Sequence, residues 1–387
     1  MTGSAAAART RDSKEKQVAI GEPTRTTLTE DQATQRDAFV GRLFGAFLAS
    51  ADLLTVYIGD TLGVYRSLAD EGPATSAELA ARTGIAERYA REWLEQQAVT
   101  GILVMNDTSK APDQRAYTLP VAHAEPLLDR DSLNSIVPLA RLLPPAAAVM
   151  PRLLEAYRSG GGVSWADYGD DLWQSQGDFN RPLFRHQLTQ EFLPQIADVH
   201  AKLGQGARVA DVACGVGWSS IAIAKGYPMT SVDGFDLDDR AIATARRAAA
   251  EAGVADRVNF HVRDAADPEH KGRYDLVTIF EAVHDLSRPV ETLRAAREML
   301  VAGGTVLVMD ERVAESFTAP GDDVERLMYG ASILICLPNG LAEQPSAATG
   351  TVMRPDTLRR YAMAAGFRDV EVLGIEHPFF RFYRLWQ

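Results

Sequence analysis

Aspartates recur beside short apolar runs in the second half of this chain, at spacings that suit the binding of a small charged ligand. Asp211 lies in the run V-A-D-V, which leads into the turn C-G-V-G at 214–217. Asp236 follows nineteen positions after Gly217, and Asp264 follows a third apolar run. A strand, a glycine turn and a helix hold nucleosides at the carboxyl end of a parallel sheet, and an acid about 20 residues further on can accept hydrogen bonds from ribose hydroxyls. The spacing therefore predicts a nucleoside site.

The glycine turn is compatible with two ligand classes. A dinucleotide site requires G-x-G-x-x-G, whose third glycine lets the helix pack closely, and this chain has Ser220 at that position. Asp211 would also repel a pyrophosphate, because the two carry like charges. An acid here favours a cationic ligand with an amino group. The alternative is a turn that only packs a helix on the sheet, with the aspartates acting as helix caps.

A second group of reactive side chains follows the predicted strand 274–280, in the segment I-F-E-A-V-H-D-L-S. Strand ends beside the glycine turn face the ligand crevice, so Phe280, Glu281, His284 and Asp285 are expected there. Imidazole is suited to removing a hydroxyl proton, because its charge changes near neutral pH. Asp285 or Glu311 could orient the ring; alternatively, His284 only bonds to backbone at a helix start. The seven histidines show no H-x-H or H-E-x-x-H spacing, so no metal site is predicted.

Both segments resemble motifs of a known enzyme family. The pattern D-x-A-C-G-x-G resembles the first motif of class I S-adenosylmethionine (SAM) methyltransferases. The segment around His284 resembles the His-Asp-Trp signature of dimeric small-molecule O-methyltransferases, in which the histidine removes the hydroxyl proton, although Leu286 replaces the tryptophan here. The resemblance implies a SAM-dependent methyltransferase that acts on a small molecule, at oxygen.

The resemblance also assigns cofactor contacts to individual residues. It implies that Asp211 lies near the methionine amino group and that Asp236 binds the ribose. Leu237 is expected against the adenine ring, and Asp264 at the adenine amino group, with Ala265 offering backbone polarity. The remaining expected contacts are those of the turn and of the strand end near the sulfonium, namely Cys214, Gly215, Gly217, Phe280 and Glu281.

A strand–helix rhythm in the second half of the chain predicts an α/β fold. The predicted strands are 209–212, 230–235, 258–262, 274–280, 305–309, 370–375 and 379–385, with helices between the first six. The last two strands have little between them and are expected to pair antiparallel. This arrangement resembles the seven-stranded, Rossmann-like sheet of class I methyltransferases, and we assign it to residues 186–387.

The first third of the chain predicts a separate helical unit. Residues 1–30 are polar without an apolar period and are expected to form a disordered tail. Within 31–125, helices at 76–82 and 86–98 followed by short strands at 102–105 and 116–119 have the order of a winged helix. Residues 71–120 contain five basic and seven acidic residues, a poor balance for neutralising DNA phosphates. A structural or dimerising role is therefore preferred to DNA binding.

Apolar residues in the first predicted helix recur on two adjoining faces, at positions 39, 43 and 47 and at 40, 44 and 48. A helix that is apolar over so much of its surface must be buried, and a second copy of the chain is the expected cover. Burial against the catalytic domain is the alternative. The most apolar stretch, 43–58, contains Asp52 and precedes Asp60, and is judged too short and too charged to span a bilayer.

Residues 126–185 are expected to be a helical linker that roofs the cofactor. Tyr168 and Trp173 belong to a group of four aromatics within 165–179 that covers the cofactor, lines a substrate pocket or packs the domain interface. A second long connection, 314–351, is expected to wall the substrate site, because long loops beside an active site usually act as lids.

Composition limits the function classes. The net charge of −12 disfavours a broad basic face for nucleic acid or for anionic membranes. Two cysteines, Cys214 and Cys336, make no disulfide framework, and the N-terminal residues lack a signal-peptide pattern, so a cytoplasmic location is predicted. Two alternatives to a small-molecule enzyme stay open: a winged-helix transcriptional regulator that senses SAM, and a peptide or protein methyltransferase.

Overall fold

The predicted strands of the second half form one seven-stranded sheet in the computed structural model, which describes residues 28–264 and 270–387. The order of strands across this sheet is β5-β4-β3-β6-β7-β9-β8, in which the pairs up to β7 are parallel and β9 runs antiparallel to both neighbours. The strands, with the winged-helix hairpin first, are β1 Val104–Met105, β2 Tyr117–Thr118, β3 Arg208–Val212, β4 Ser231–Asp236, β5 Val258–Val262, β6 Tyr274–Phe280, β7 Leu300–Glu311, β8 Asp369–Val372 and β9 Phe380–Trp386. The predicted α/β class and antiparallel closing pair are confirmed.

Helices cover both faces of the sheet and make up most of the N-terminal half. They are α1 Glu30–Thr61, α2 Val64–Asp70, α3 Ser76–Thr83, α4 Glu87–Val99, α5 Val121–Leu128, α6 Val137–Ala148, α7 Met150–Ser159, α8 Asp170–Leu183, α9 Ala197–Gly204, α10 Trp218–Gly226, α11 Asp239–Glu251, α12 Pro289–Met299, α13 Asp323–Ala331, α14 Leu337–Gly340 and α15 Pro355–Ala364. Two π-helical segments, Phe184–Phe192 and Ser332–Cys336, continue α8 and α13.

Alternation along the central strands divides the core between the two faces of the sheet. Leu276 and Val209 belong to one apolar cluster, with Leu307 of β7, whereas Val277 and Ala210 belong to the cluster on the opposite face. Because helices cover both faces, these strands are apolar on both sides, as is usual for parallel sheets. The short apolar runs in the sequence therefore correspond to the most buried strands.

The winged-helix unit forms as its local signals predict. Thr75 accepts a hydrogen bond from the backbone N–H of Glu78, and the Glu78 side chain accepts one from the Thr75 N–H, so that a capping box starts α3. α4 follows, and Val104 pairs with Thr118 in a hairpin whose strands are shorter than predicted. Trp93 of α4 packs edge-on against Tyr65 in the core of this unit.

Helix α1 is longer than the apolar stretch that the sequence marked. It has 32 residues, and residues 30–50 are exposed almost throughout, including Phe39, Phe44 and Phe47. Residues 1–51 and 52–387 form two separate compact units. By length and composition alone α1 is able to cross a membrane. A single helix of this kind near the N-terminus is only weak evidence of a membrane span. The stretch 43–58, which was predicted to be too short to span a bilayer, is therefore part of a longer helix.

The predicted linker is a folded part of the second unit. Arg130 pairs with Asp60 at 2.7 Å and with Asp178 of α8 at 3.7 Å, while Arg141 of α6 approaches Asp178 at 3.6 Å. Burial raises the pKa of Asp178, although both arginines oppose that change. These ion pairs hold α8 against α6 and the end of α1, and α8 in turn lies beside the glycine turn.

The central position of β6 predicts a difference between two otherwise identical substitutions. Val277→Ala removes two methyl groups from a fully buried site, and we expect it to lower the free energy of unfolding by about 2–3 kcal/mol. Val372→Ala on the edge strand β8, where the side chain is 45% exposed, should change it by less than about 0.5 kcal/mol. Chemical denaturation of both variants measures this, and equal losses would contradict the burial assignment.

Candidate functional site

Five parallel strands, β3 to β7, end at one edge of the sheet and bring the predicted site residues together. In the β3–β6 pairing, Val212 lies opposite Ile279, so the residues that follow each strand are also neighbours. Ala213 and Glu281, just after these strands, have φ angles of 56° and 51°. Left-handed backbone at non-glycine residues stores strain and clusters at functional sites. Such strain at adjacent strand ends marks this edge as the candidate site.

The glycine turn presents bare backbone to open space on one side and to the core on the other. Gly215 has φ 51°, and a Cβ atom there would meet nothing within 4 Å. Gly217 has φ 80°, and a Cβ there would lie 2.4 Å from Phe260. Glycine is required at 217 both by conformation and by space, whereas at 215 it leaves the backbone open to a ligand. Cys214 is buried behind the turn, where burial raises the pKa of its thiol.

α8 lies directly against this turn. A Cβ on Gly177 would lie 2.5 Å from Val216 Cγ2, so the helix approaches the turn as closely as its backbone permits. Trp173 is buried and donates its indole N–H to Asp170, which also accepts from Arg240 at 2.8 Å. Arg240 lies four residues after Asp236. The predicted roof residue Trp173 therefore lies on a helix tied to the β4 end of the site.

Tyr168 lies at the contact between the linker and the insertion, near Cys336 and Asp285. Its hydroxyl donates to the backbone carbonyl of Leu334 at 2.7 Å, and the ring is buried with Leu172 and Val163. This contact places Tyr168 beside the insertion, and its role as a cofactor contact stays a prediction.

Asp236 fastens the glycine turn to the neighbouring strand. Its Oδ2 accepts the backbone N–H of Gly215 at 2.8 Å, and its Oδ1 accepts that of Asp238 at 2.9 Å. Burial raises the pKa of this carboxyl group, and these backbone donors oppose the change. Leu237 beside it is 69% exposed. Asp264 is exposed just beyond β5, and Ala265 lies outside the described residues.

Asp211 is buried and already fully hydrogen-bonded. Its Oδ2 accepts from the hydroxyls of Ser219 and Ser220 at 2.5 and 2.6 Å, and its Oδ1 accepts from Thr278 at 2.7 Å. The backbone N–H of Ser220 adds a fourth interaction. A carboxylate has about four acceptor positions. Asp211 therefore fixes the start of α10 and the two central strands to one another.

His284 lies among three carboxyl groups. Its Nδ1 is 2.8 Å from Asp310 Oδ1 and 2.9 Å from Glu311 Oε2, and its Nε2 is 3.5 Å from Asp285 Oδ1. His284 is only 3% exposed, and Asp310 is fully buried. The structure thus places both predicted orienting acids at the ring, on opposite nitrogens, together with Asp310, which the sequence reading missed.

The charges of this cluster depend on one another. Burial by itself lowers the pKa of His284, but the fields of Glu311 and Asp310 outweigh it and raise that pKa well above 6.5. Burial raises the pKa of Asp310, but the nearby imidazolium outweighs this and lowers it. Burial also raises the pKa of Glu311 well above 4.5, and the charge of His284 opposes that change, so the three groups titrate together.

The insertion wraps around the same cluster. The N–H of Gly350 donates to the carbonyl of His284 at 3.1 Å, and that of Ala347 to the carbonyl of Ser287 at 2.8 Å. Cys336 lies close enough to His284 and Asp285 for side-chain hydrogen bonding, and burial raises its pKa to about 12. The segment predicted to wall the site therefore contacts the candidate base directly.

Two groups of potential metal ligands share His284. One contains Asp285 and Cys336, the other Asp310 and Glu311, and the ligand atoms within each group lie within 4.8 Å of one another. Spacing along the sequence could not predict them, because their members come from separate segments. Hydrogen bonding and ion pairing among these side chains account for their proximity without a metal.

Glu281 joins the strand end to α8. Its Oε2 accepts from Gln176 at 3.0 Å and from Asn180 at 2.8 Å. Its Oε1 is shielded from solvent and has no hydrogen-bond partner among the described residues. Phe280 beside it packs into the core, stacked on Phe184 at 5.8 Å.

The sequence reading missed several partners that come from distant segments, namely Gln176, Asn180, Thr278 and Asp310. Thr278 lies within the predicted strand 274–280, and Asp310 comes directly after the predicted strand 305–309, so a polar residue in or just after an apolar strand was an available signal. Gln176 and Asn180 are spaced four apart on one face of α8, a pattern too common to single out.

Comparisons with known proteins agree with this architecture. A family profile described as a methyltransferase domain matches residues 203–343, and one described as an Rv2258c-like winged HTH domain matches residues 50–130. The chain is 30% identical over 216 residues to the ubiquinone biosynthesis O-methyltransferase of Aromatoleum aromaticum, covering 55% of this chain and 84% of that protein. It is 31% identical over 220 residues to the protein of the same name from Nitrosospira multiformis, covering 56% and 83%.

Solved structures share the fold over nearly the whole chain. Human N-acetylserotonin methyltransferase in complex with SAM superposes with a TM-score of 0.64 at 17% identity, covering 94% of this chain and 99% of that one. An O-methyltransferase family protein from Burkholderia thailandensis gives 0.65 at 18% identity, covering 93% and 99%. The predicted winged helix joined to a methyltransferase sheet is confirmed.

The ion pair at His284 predicts a defined response to pH. Because the folded pKa of His284 is raised, its stabilising contribution is fully present below about pH 6.5 and is lost as pH rises through the folded pKa. Asp310→Asn removes the carboxylate at Nδ1, and we expect the His284 titration to move down by about 1–2 pH units. NMR of labelled histidine measures this, with the exposed Asp356→Asn as control. An unmoved titration would contradict the pairing.

Proposed function

Because this chain belongs to the SAM-dependent methyltransferases, we propose that it transfers the methyl group of SAM to an oxygen of a small molecule, with His284 as the base. The observation that carries the proposal is the buried His284, ion-paired to Asp310 and located just beyond the strand that borders the glycine turn. A buried imidazole with a carboxylate on one nitrogen can take a proton at the other.

Features of the sheet edge fit SAM. Gly215 opens the backbone to a ligand, and Leu237 is exposed beside the Asp236 carboxylate. Glu281 also has a shielded carboxylate oxygen without a donor among the described residues, as expected where a cation binds. In the proposal Asp236 binds the ribose, Leu237 packs on the adenine, and Asp264 lies at the adenine amino group. Trp173 roofs this end of the site.

Bound SAM supplies an electrophilic methyl group that is poised for transfer. His284 accepts the acceptor's hydroxyl proton at Nε2, while Asp310 at Nδ1 stabilises the resulting imidazolium. Burial raises the pKa of Glu311, which disfavours a second negative charge beside Asp310. Since the pKa of His284 is raised, the free base becomes more abundant as pH rises above neutrality, and the rate with a weakly acidic phenol should rise in parallel.

Removal of the base tests the catalytic role. We expect His284→Gln to lower kcat with phenolic acceptors by roughly 10²–10⁴-fold at pH 7.5 while the affinity for S-adenosylhomocysteine changes little. His123→Gln, at a histidine of the winged-helix unit that binds the Ile102 carbonyl, is the matched control. Turnover is measured with labelled SAM against a panel of phenols and catechols. Near-normal turnover by His284→Gln would mean that positioning alone suffices.

The winged-helix unit is proposed to assemble subunits rather than to bind DNA. Its arginines are engaged within the unit: Arg91 with Glu87, Arg88 with Glu92, and Arg115 with Glu95. Arginines already paired with carboxylates are poorly placed to neutralise phosphates. This supports an enzyme over the alternative of a SAM-sensing regulator, and a cytoplasmic location is part of the same proposal.

The exposed face of α1 is proposed to pack against a second copy of the chain. Phe39, Leu43, Phe44 and Phe47 are each 49–67% exposed, a density of large apolar side chains that monomers rarely leave in water. The dimeric enzymes that the His284 segment resembles point to self-association as the way in which this face is covered.

Glutamate substitutions on this face of α1 test the proposed dimer. We expect Phe44→Glu with Phe47→Glu to convert a dimer to a monomer in sedimentation at micromolar concentration, because two carboxylates cannot be buried without partners. Val121→Glu, at a valine that is 91% exposed elsewhere, is the control and should stay dimeric. A wild-type chain that sediments as a monomer, or that is recovered in membranes, would contradict the proposal.

A further inference from the structure

One buried acid, Asp211, and one half-buried acid, Glu281, flank the point where the methionine end of the cofactor is expected. Asp211 lies within β3 and Glu281 one residue beyond β6. The pairing of Val212 with Ile279 puts Glu281 beside the first residues of the glycine turn. The resemblance to class I methyltransferases implies that Asp211 lies near the methionine amino group. The hydrogen bonds of the two acids now distinguish them.

Asp211 has no acceptor position to offer. Three hydroxyls and one backbone N–H already occupy its two oxygens, and the group is 1% exposed. An ammonium group at Asp211 would have to displace Ser219, Ser220 or Thr278, leaving a buried hydroxyl without a partner, which is costly. Asp211 thus acts as a structural acid.

Glu281 has the opposite arrangement. Gln176 and Asn180 hold its Oε2, which fixes the carboxylate plane, while Oε1 is shielded and has no partner among the described residues. A buried carboxylate oxygen without a donor is unfavourable unless a ligand supplies one. The left-handed backbone at Glu281, with its N–H donated to the Met309 carbonyl at 2.7 Å, holds the residue in this position.

We infer that Glu281, rather than Asp211, receives the α-ammonium group of the methionine end of SAM, through Oε1. The inference rests on the proposed function, since it names the partner of one group of that cofactor. Gln176 and Asn180 are then positioning residues, and α8 contributes to cofactor recognition through them. A charge-assisted hydrogen bond in a shielded site contributes far more than one at the surface.

The protonation of Glu281 gives this inference a second consequence, which is proton release on ligand binding. Burial raises the pKa of Glu281 to about 7, opposed by hydrogen bonding from Asn180 and by the charge of His284. At pH 7 the free protein therefore holds a proton on roughly half of these groups, and an ammonium ligand favours the ionised form. Binding should release roughly half a proton per ligand at pH 7, and less as pH rises.

A pair of matched ligands tests the assignment. S-adenosylhomocysteine carries the ammonium group, and its deaminated analogue has hydrogen in that place. We expect the wild-type chain to bind the first about 10–100-fold more tightly by calorimetry, as befits one charge-assisted hydrogen bond. In Glu281→Gln this preference should fall to less than about 3-fold, with the affinity for the deaminated analogue unchanged. Glu325→Gln, at a buried glutamate of the insertion paired with Arg354, should keep the wild-type preference.

Proton release gives a readout that does not depend on the stability of a variant. Calorimetry of wild-type protein at pH 7 in two buffers of different ionisation enthalpy should show release with S-adenosylhomocysteine and little with the deaminated analogue. An equal preference in wild type and Glu281→Gln, or no difference in proton release between the ligands, overturns the inference and leaves the proposed function intact. Failure of the wild-type chain to bind either ligand overturns both.

Discussion

The parallel pairing of β3 with β6 is the constraint on which the site depends. With Val212 opposite Ile279, the glycine turn and the segment that carries His284 leave the sheet side by side. β4 and β5 with their helices lie between β3 and β6 along the chain, so the two segments are about 70 residues apart in sequence yet adjacent in space. A shift of one residue in this register would turn every side chain of the strand to the other face and separate the two halves of the site.

Three acids near this edge, two buried and one half-buried, differ in their hydrogen-bond and ion-pair partners. The acceptor positions of Asp211 are all occupied by hydroxyl and backbone donors, and these hydrogen bonds hold β3, β6 and the start of α10 together. Asp310 is balanced by an imidazolium, which keeps it ionised. Glu281 has one oxygen held and one oxygen without a donor in the described part of the chain. Burial acts on all three carboxyls, and their different partners give them different chemical properties.

Segments outside the sheet complete the site from two sides. α8 contacts the glycine turn at Gly177, and its amide side chains donate hydrogen bonds to Glu281. Ion pairs of Asp178 connect the same helix to the N-terminal half of the chain. The insertion approaches from the other side, where Gly350 bonds to the His284 carbonyl. Cofactor recognition and acceptor recognition are therefore expected to depend on elements that precede and follow the central strands.

The sequence by itself determined the strands, the glycine turn, the winged helix and the positions of His284 and Asp236. Each of these follows from local patterns: apolar runs, residues that permit a turn, and capping residues. The tertiary structure alone decided which acid is saturated and which is available, because hydrogen-bond partners such as Thr278 and Asn180 come from other segments. It also decided the charge of His284, since burial and the carboxyls of β7 act through space, whereas a sequence pattern records only neighbours along the chain.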